Sequence, residues 1–195
     1  MIRRRYIWDW ATARSRITAV RRVRKTVAVL KNKSRSENRQ VDIRFVEETS
    51  AELAALSKEL DDFYFARFGE DYLYYQPKNT LTGLACAAVA YENGTAVGCA
   101  CWRAFDAVTA EIKRVYVRPA VRRQGAARRL LEAVESHAAA SGCHRAVAET
   151  ARETPEAVAF YRAAGYRDLP GGYGPYVGDE SCVCLEKEIS DGTMR

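Results

Sequence analysis

The chain has 195 residues, 48% of them apolar and 29% charged, with a formal net charge of +6. That length supports one catalytic-size domain with room for a small appendage. No run approaches the roughly eighteen apolar residues of a membrane span, and residues 6–13 are too short and too broken by Asp9 for a secretory core, so a soluble cytoplasmic protein is expected.

The charge is unevenly held. Residues 1–40 carry thirteen Lys/Arg and two acids, a balance of +11, whereas the remainder carries eighteen and twenty-three, a balance of −5. The basicity therefore belongs to an N-terminal arm. Within it Val20, Val23, Val27 and Leu30 recur at helical steps beside Arg21, Arg22, Arg24 and Lys25, which predicts a basic helix, and residues 31–40 read as a polar linker. Such an arm, with Trp8 and Trp10 nearby, can touch a nucleic acid, an anionic membrane or a partner groove; it can equally pack on its own domain or on a second copy in a homodimer. Its Arg-rich, acid-poor character also resembles a transit peptide. The expected division is 1–40 arm and linker, 41–189 catalytic domain and 190–195 tail.

Six cysteines include two C-x-C pairs, Cys99/Cys101 and Cys182/Cys184. Each pair lies in an alternating apolar run, where both side chains would share one sheet face as small hydrophobes. The C-x2-C spacing and turn glycines of a zinc site are missing, so neither a metal nor a disulfide is expected.

From Val41 the elements alternate. Residues 41–46 read as a strand and 50–65 as a helix with Leu53, Leu56, Leu60 and Phe63 on one stripe; the aromatic stretch 63–75 fits either core packing or an acceptor pocket. Residues 84–91 and 95–105 read as strands joined through Asn93-Gly94, a strong hairpin signal because both residues tolerate positive φ. A third antiparallel strand follows at 109–117. Ala127, Leu130, Leu131, Val134 and Ala138 then mark a helix ending near Gly142. Residues 145–150 form a further strand, Thr154-Pro155 an N-cap and first-turn proline, and residues 166–169 and 181–187 closing strands around a Gly/Pro loop at 170–176.

The chemistry concentrates at RRQGAA, residues 122–127, between a strand and a helix. The first amides of that helix lack intrahelical partners, Gly125 permits close backbone approach, and Arg122, Arg123, Arg128 and Arg129 add positive field, an arrangement suited to a pyrophosphate. By itself the turn fits a solvated surface equally well. The phosphate loop G-x-x-x-x-G-K-[ST] and the strand-linked G-x-G-x-x-G are both absent from the sequence.

Arg122, Gly125 and Ala127 match the form [RQ]-x-x-G-x-[GA], and here the chain resembles the GNAT N-acetyltransferase superfamily. AEIKRVYVRP, AETARETPEAVAFYRAAGY and GPYVGDESCVCLEKEI resemble a bacterial subgroup in the same order, over residues 41–189. The resemblance implies a GNAT fold, α/β, with a mixed and mostly antiparallel central sheet flanked by helices. It implies acetyl-CoA as co-substrate, a cleft between the Glu111 strand and the Arg145 strand, and acetyl transfer to a primary amine of a small molecule, peptide or protein. By the same resemblance, the backbone of Val115, Tyr116 and Val117 pairs with pantetheine, and the amides of Arg123, Gln124, Gly125, Ala126, Ala127 and Arg128 bind the pyrophosphate. Thr150 adjoins the cofactor, and Tyr161 protonates the departing thiolate.

An attacking amine must be neutral, although a lysine-like amine has a pKa of about 10.4. Glu111 occupies the position of the general base in histone-modifying relatives and, by the period-two rule, shares a face with Lys113 and Val115; Glu149 is the reserve candidate. A salt-bridge role is open for either carboxylate, as is plain core packing for Tyr161. Many relatives carry Asn where Thr154 stands, so Thr154 reads as a cap, and His137 and His144 as helix-surface and loop residues. Two other classes compete: an acyl-CoA sensor whose basic arm gives the output, and a nucleic-acid-binding protein led by that arm.

Overall fold

A computed structural model describes residues 41–190 of the chain; the basic arm and its expected helix lie outside the described residues, as do residues 191–195. Strands β1 (Asp42–Val46), β2 (Cys86–Glu92), β3 (Thr95–Ala104), β4 (Thr109–Val117), β5 (Arg145–Ala151), β6 (Arg167–Asp168) and β7 (Cys182–Glu188) form one sheet in the order β1-β2-β3-β4-β5-β7-β6. All neighbours run antiparallel except β4 and β5, which are parallel. The mixed, mostly antiparallel sheet expected from the sequence is therefore present.

Local chemistry sets the elements. The β2–β3 turn uses Asn93 at φ 51° and Gly94 at φ 77°, the positive values that an Asn-Gly hairpin supplies at low cost. Helix α1 (Ala51–Phe68) starts where the Ser50 side chain accepts a hydrogen bond from the Leu53 amide at 3.3 Å. It runs three residues beyond the expected 65, because Leu60, Tyr64 and Phe68 extend the buried stripe at steps of four. Short 3-10 turns at Gly69–Tyr74 and Gln76–Asn79 carry the aromatic stretch back toward β2. Helix α2 (Ala126–Ala140) buries Leu130, Leu131 and Val134 completely, and helix α3 (Pro155–Ala163) adds Tyr161 to the same cluster. Leu53, Leu56 and Leu60 of α1 pack with Cys99, Cys101 and Tyr116 in a separate cluster, so helices cover both faces of the sheet.

Two expectations need correction. The closing strand placed at 166–169 is only Arg167–Asp168, because Pro170 has no amide for the ladder and Leu169 enters a turn closed by the Gly172 amide. Val115 does not share a face with Glu111 and Lys113. Arg114 has φ 57°, and the β3–β4 register passes from Cys101↔Lys113 to Cys99↔Tyr116, so β4 carries one extra residue. This β-bulge reverses the alternation. Val115 and Val117 accordingly pack in the α2 cluster, whereas Tyr116 joins the α1 cluster. Opposite the bulge Gly98 admits no side chain, since a Cβ there would stand 2.6 Å from the Tyr116 carbonyl oxygen.

The bulge is held by side chains. Arg114, with only 5% of its side chain exposed, pairs with Asp61 of α1 and donates to the Asn79 carbonyl; the Cys99 thiol donates to the Arg114 carbonyl at 3.2 Å. Asp61 also accepts from the Tyr72 hydroxyl. Removing the carboxylate would leave a buried guanidinium without its counter-charge. Asp61→Ala is therefore expected to cost about 3 kcal/mol of unfolding free energy in urea titrations, and Asp62→Ala, whose partner is the exposed Lys58, less than about 0.5 kcal/mol.

Candidate active site

Past the bulge β4 and β5 part. Their pairing covers only Thr109↔Arg145 to Ile112↔Ala148. Beyond it, Tyr116 and Val117 have strand partners only on the β3 side, Val115 has no ladder partner, and Glu149, Thr150 and Ala151 pair only with β7. A cavity of about 880 Å³ fills the opening, walled by β4, β5, the start of α2, one side of α3 and the C-terminal half of α1.

At the α2 end, Gly125 stands at the N-cap with φ 84° and offers no side-chain cap, so the leading amides of the helix point out unpartnered. Arg123 also has positive φ, 64°. Arg122 folds back to donate to the Val117 carbonyl at 2.8 Å, and Arg128 is engaged by Glu132 at 2.6 Å and the Ala163 carbonyl at 3.0 Å. The Arg123 guanidinium and the Gln124 side chain remain exposed, without a partner among the described residues. Positive field, open amides and a glycine converge there, as an anion site requires.

The two expected carboxylates have unlike surroundings. Glu111 is buried beneath the 173–176 loop, where it accepts from Arg103 at 2.7 Å, Lys113 at 3.3 Å and the Tyr173 hydroxyl at 3.2 Å. It does not line the cavity. Lys113 is turned toward the same cluster, donating also to the Tyr176 hydroxyl at 3.1 Å. Glu149 does line the cavity and accepts no hydrogen bond from the described residues. Removal from water pushes its carboxyl up to about 7; Lys113 and Lys78 oppose the rise, and Glu111 and Asp179 add to it.

Tyr161 of α3 also lines the cavity, its ring packed edgewise on Phe160 and Tyr166 at 5.3 and 5.2 Å. Burial raises its phenol far above the usual range, with Tyr64, Glu149 and Glu135 adding to the effect, so it stays protonated near neutral pH. Thr150 is buried, and its Oγ1 lies 2.9 Å from Oγ1 of Thr154. Thr154 occupies the N-cap position of α3 but makes no side-chain cap. Its hydroxyl donates instead to the Ala151 carbonyl at 2.6 Å, tying β5 to α3.

Tyr64 lies within the aromatic stretch 63–75 and is not singled out by the sequence. It reaches the same region from α1, its phenol raised first by burial and then by Glu149, with Thr150 and Arg114 opposing. Its signal was the i, i+4 continuation Leu60, Tyr64, Phe68, which carries the apolar stripe off the sheet and into the cleft. Two clasps join α1 and its following turns to the far lip: Arg67 to Glu156 at 2.7 Å and to the Glu153 carbonyl, and the Tyr75 hydroxyl to Asp179 at 2.7 Å and to Ser181.

The profile of the Acetyltransferase (GNAT) family matches residues 53–166, which include α1, the parted strands and the turn into α2. The chain belongs to this GNAT acetyltransferase family. An IAA acetyltransferase of Azospirillum brasilense is 37% identical over 103 residues, 52% of this chain and 66% of that protein, so the match spans just under two thirds of the relative. A Klebsiella pneumoniae structure classed among acyl-CoA N-acyltransferases superposes with TM-score 0.64 and 29% identity, over 77% of this chain and 98% of that one. A GNAT acetyltransferase of Elizabethkingia anophelis, solved with acetyl-CoA bound, shares the fold at TM-score 0.58 and 17% identity, over 76% and 98% of the two chains.

The six GNAT-domain cysteines are buried and free. Burial raises their thiols, that of Cys86 to about 11 and that of Cys99 to about 12. Among the described residues no cluster of three His, Cys, Asp or Glu side chains is placed to hold a metal, and no helix is long and apolar enough to cross a membrane.

The raised Glu149 fixes a pH dependence of stability. Its folded-state value exceeds the ordinary carboxyl value, so its contribution is fully present below about pH 4.5 and is lost as pH rises through about 7. Glu149→Gln is therefore expected to unfold at higher denaturant than the parent at pH 8, by on the order of 2 kcal/mol, and at nearly the same point at pH 4.

Proposed function

We propose that this acetyltransferase uses acetyl-CoA and transfers the acetyl group directly to a primary amine. The observation that carries the reading is the meeting, in one cavity, of the unpaired β4 edge, the uncapped basic start of α2, and the Glu149 and Tyr161 side chains. The residues present suit that co-substrate. The backbone of Val115, Tyr116 and Val117 is free to pair with pantetheine on the β5 side, as an added strand would. The amides from Arg123 to Arg128 and the exposed Arg123 guanidinium suit the pyrophosphate, and Thr150 stands where β5 leaves β4. The acetyl-CoA-bound Elizabethkingia protein, which has the same fold, supports the choice.

The thioester supplies an electrophilic carbonyl carbon. The amine nitrogen forms the C–N bond there as the C–S bond breaks. Glu149 is the group best placed to take the proton from the nitrogen, since its value near 7 leaves a useful fraction of base at neutral pH. Tyr161, held neutral by burial, gives its phenolic proton to the departing sulfur. Glu111, with three hydrogen-bonding partners, acts by engaging the Lys113 ammonium. The Azospirillum relative's description, an IAA acetyltransferase, agrees with acetyl transfer and leaves the acceptor open.

Calorimetric titration should detect acetyl-CoA binding, and no binding at high micromolar concentration would remove this reading. Binding without consumption across an amine panel would favour a sensor. Tyr161→Phe should lower kcat on the order of a hundredfold with KM for acetyl-CoA unchanged. The parent's kcat/KM should rise with pH through about 7, and Glu149→Gln should lose that limb.

A further inference from the structure

The cavity is divided by charge. Its cofactor end, at the turn into α2, carries Arg122, Arg123 and Arg128, whereas an acidic end formed by the turn after α1, by β5 and by the segments leading into α3 and β7 carries the carboxylates of Asp71, Glu149, Glu153 and Glu180, with Glu156 taken up by Arg67. The cations at that acidic end are already engaged: Lys113 by Glu111 and Tyr176, Arg114 by Asp61, and Arg152 by the carbonyls of Glu180 and Cys182. Lys78 does not line the cavity. Its Nζ, buried without a hydrogen bond among the described residues, lies over the rings of Tyr74, Tyr75 and Tyr176 at 3.9, 4.8 and 5.2 Å. Among the described residues, an incoming anion therefore finds no unengaged cation lining the acidic end, whereas an ammonium finds several carboxylates without hydrogen-bonding partners.

The wall opposite β5 is aromatic. Tyr64 stacks with Phe68 at 5.8 Å and 20°, and with Tyr72 at 5.7 Å and 19°, and all three rings line the cavity. Flat apolar bodies pack on such a wall, whereas the flexible chain of a polyamine has no face to match it. The clasps at Arg67–Glu156 and Tyr75–Asp179 tie α1 and the turn after it to α3 and to the loop before β7, links that a small molecule passes more readily than a folded protein surface does.

Building on the acetyl-transfer reading, we propose that the acceptor is a small monoamine, cationic in solution, on a flat aromatic body: an arylalkylamine. Its ammonium is drawn to the acidic end, releases one proton to solvent to become the neutral amine, and gives a second to Glu149 as the C–N bond forms, while its ring packs on Tyr64 and Phe68.

The test compares kcat/KM for tryptamine and phenethylamine with that for spermidine, glutamate and a short lysine peptide, at saturating acetyl-CoA. The ring amines should lead by at least about tenfold, the discrimination that one well-packed ring supplies. Phe68→Ala should raise KM for tryptamine about tenfold with KM for acetyl-CoA unchanged, and Phe65→Ala, on the same helix but outside the cavity, should leave both unchanged. A lead by spermidine, glutamate or the peptide would overturn the proposal. So would equal effects of the two phenylalanine variants, or acetyl-CoA binding with no acetylation of either ring amine. Failure of acetyl-CoA to bind at all would instead count against the transferase reading on which the proposal rests.

Discussion

The parting of β4 from β5 depends on the buried pair of Arg114 and Asp61. A non-glycine residue at φ 57° is disfavoured by about 1–2 kcal/mol, and an extra residue in one strand breaks the ladder. Asp61 and the Asn79 carbonyl hold the guanidinium on the α1 side, so the strand cannot relax to plain alternation without stranding a buried charge. The opening between the strands, the reversed facing of Val115, and the anchoring of the turns after α1 through Tyr72 all follow from that one contact.

The same displacement separates two carboxylates that look alike in sequence. Glu111, before the bulge, is drawn under the 173–176 loop and surrounded by Arg103, Lys113 and Tyr173. Glu149, on the strand that β4 leaves, loses water without gaining a hydrogen bond from the described residues, and its carboxyl rises toward neutrality. A fully satisfied carboxylate suits structure, and an unsatisfied one suits proton exchange. Burial and pairing, not identity, divide their surroundings.

Much of this architecture was legible in the residues. Asn93-Gly94 marked a turn because few other pairs tolerate two positive φ values, and the run from Thr109 to Val117 alternates clearly enough to fix its ends. The Arg122 to Ala127 turn was legible because glycine and alanine before an apolar stripe leave amides open. The bulge was not, since it depends on a carboxylate fifty-three residues away on another element. That hidden phase change made Glu111 seem to share a face with Val115. The clasps, likewise, join residues far apart in the chain, as in the eighty-nine-residue span from Arg67 to Glu156, and no local pattern announces them.

The buried thiols add a property of a different kind. Cys99 and Cys101 lie under α1, Cys143 at the exit of α2, and Cys182 and Cys184 beneath the Tyr173–Tyr176 turn. Alkylation needs an exposed thiolate, which burial and a raised pKa both withhold from the closed fold. The rate at which each cysteine takes up label therefore becomes a clock for the opening of its own layer, and the domain carries built-in reporters on both sides of its sheet.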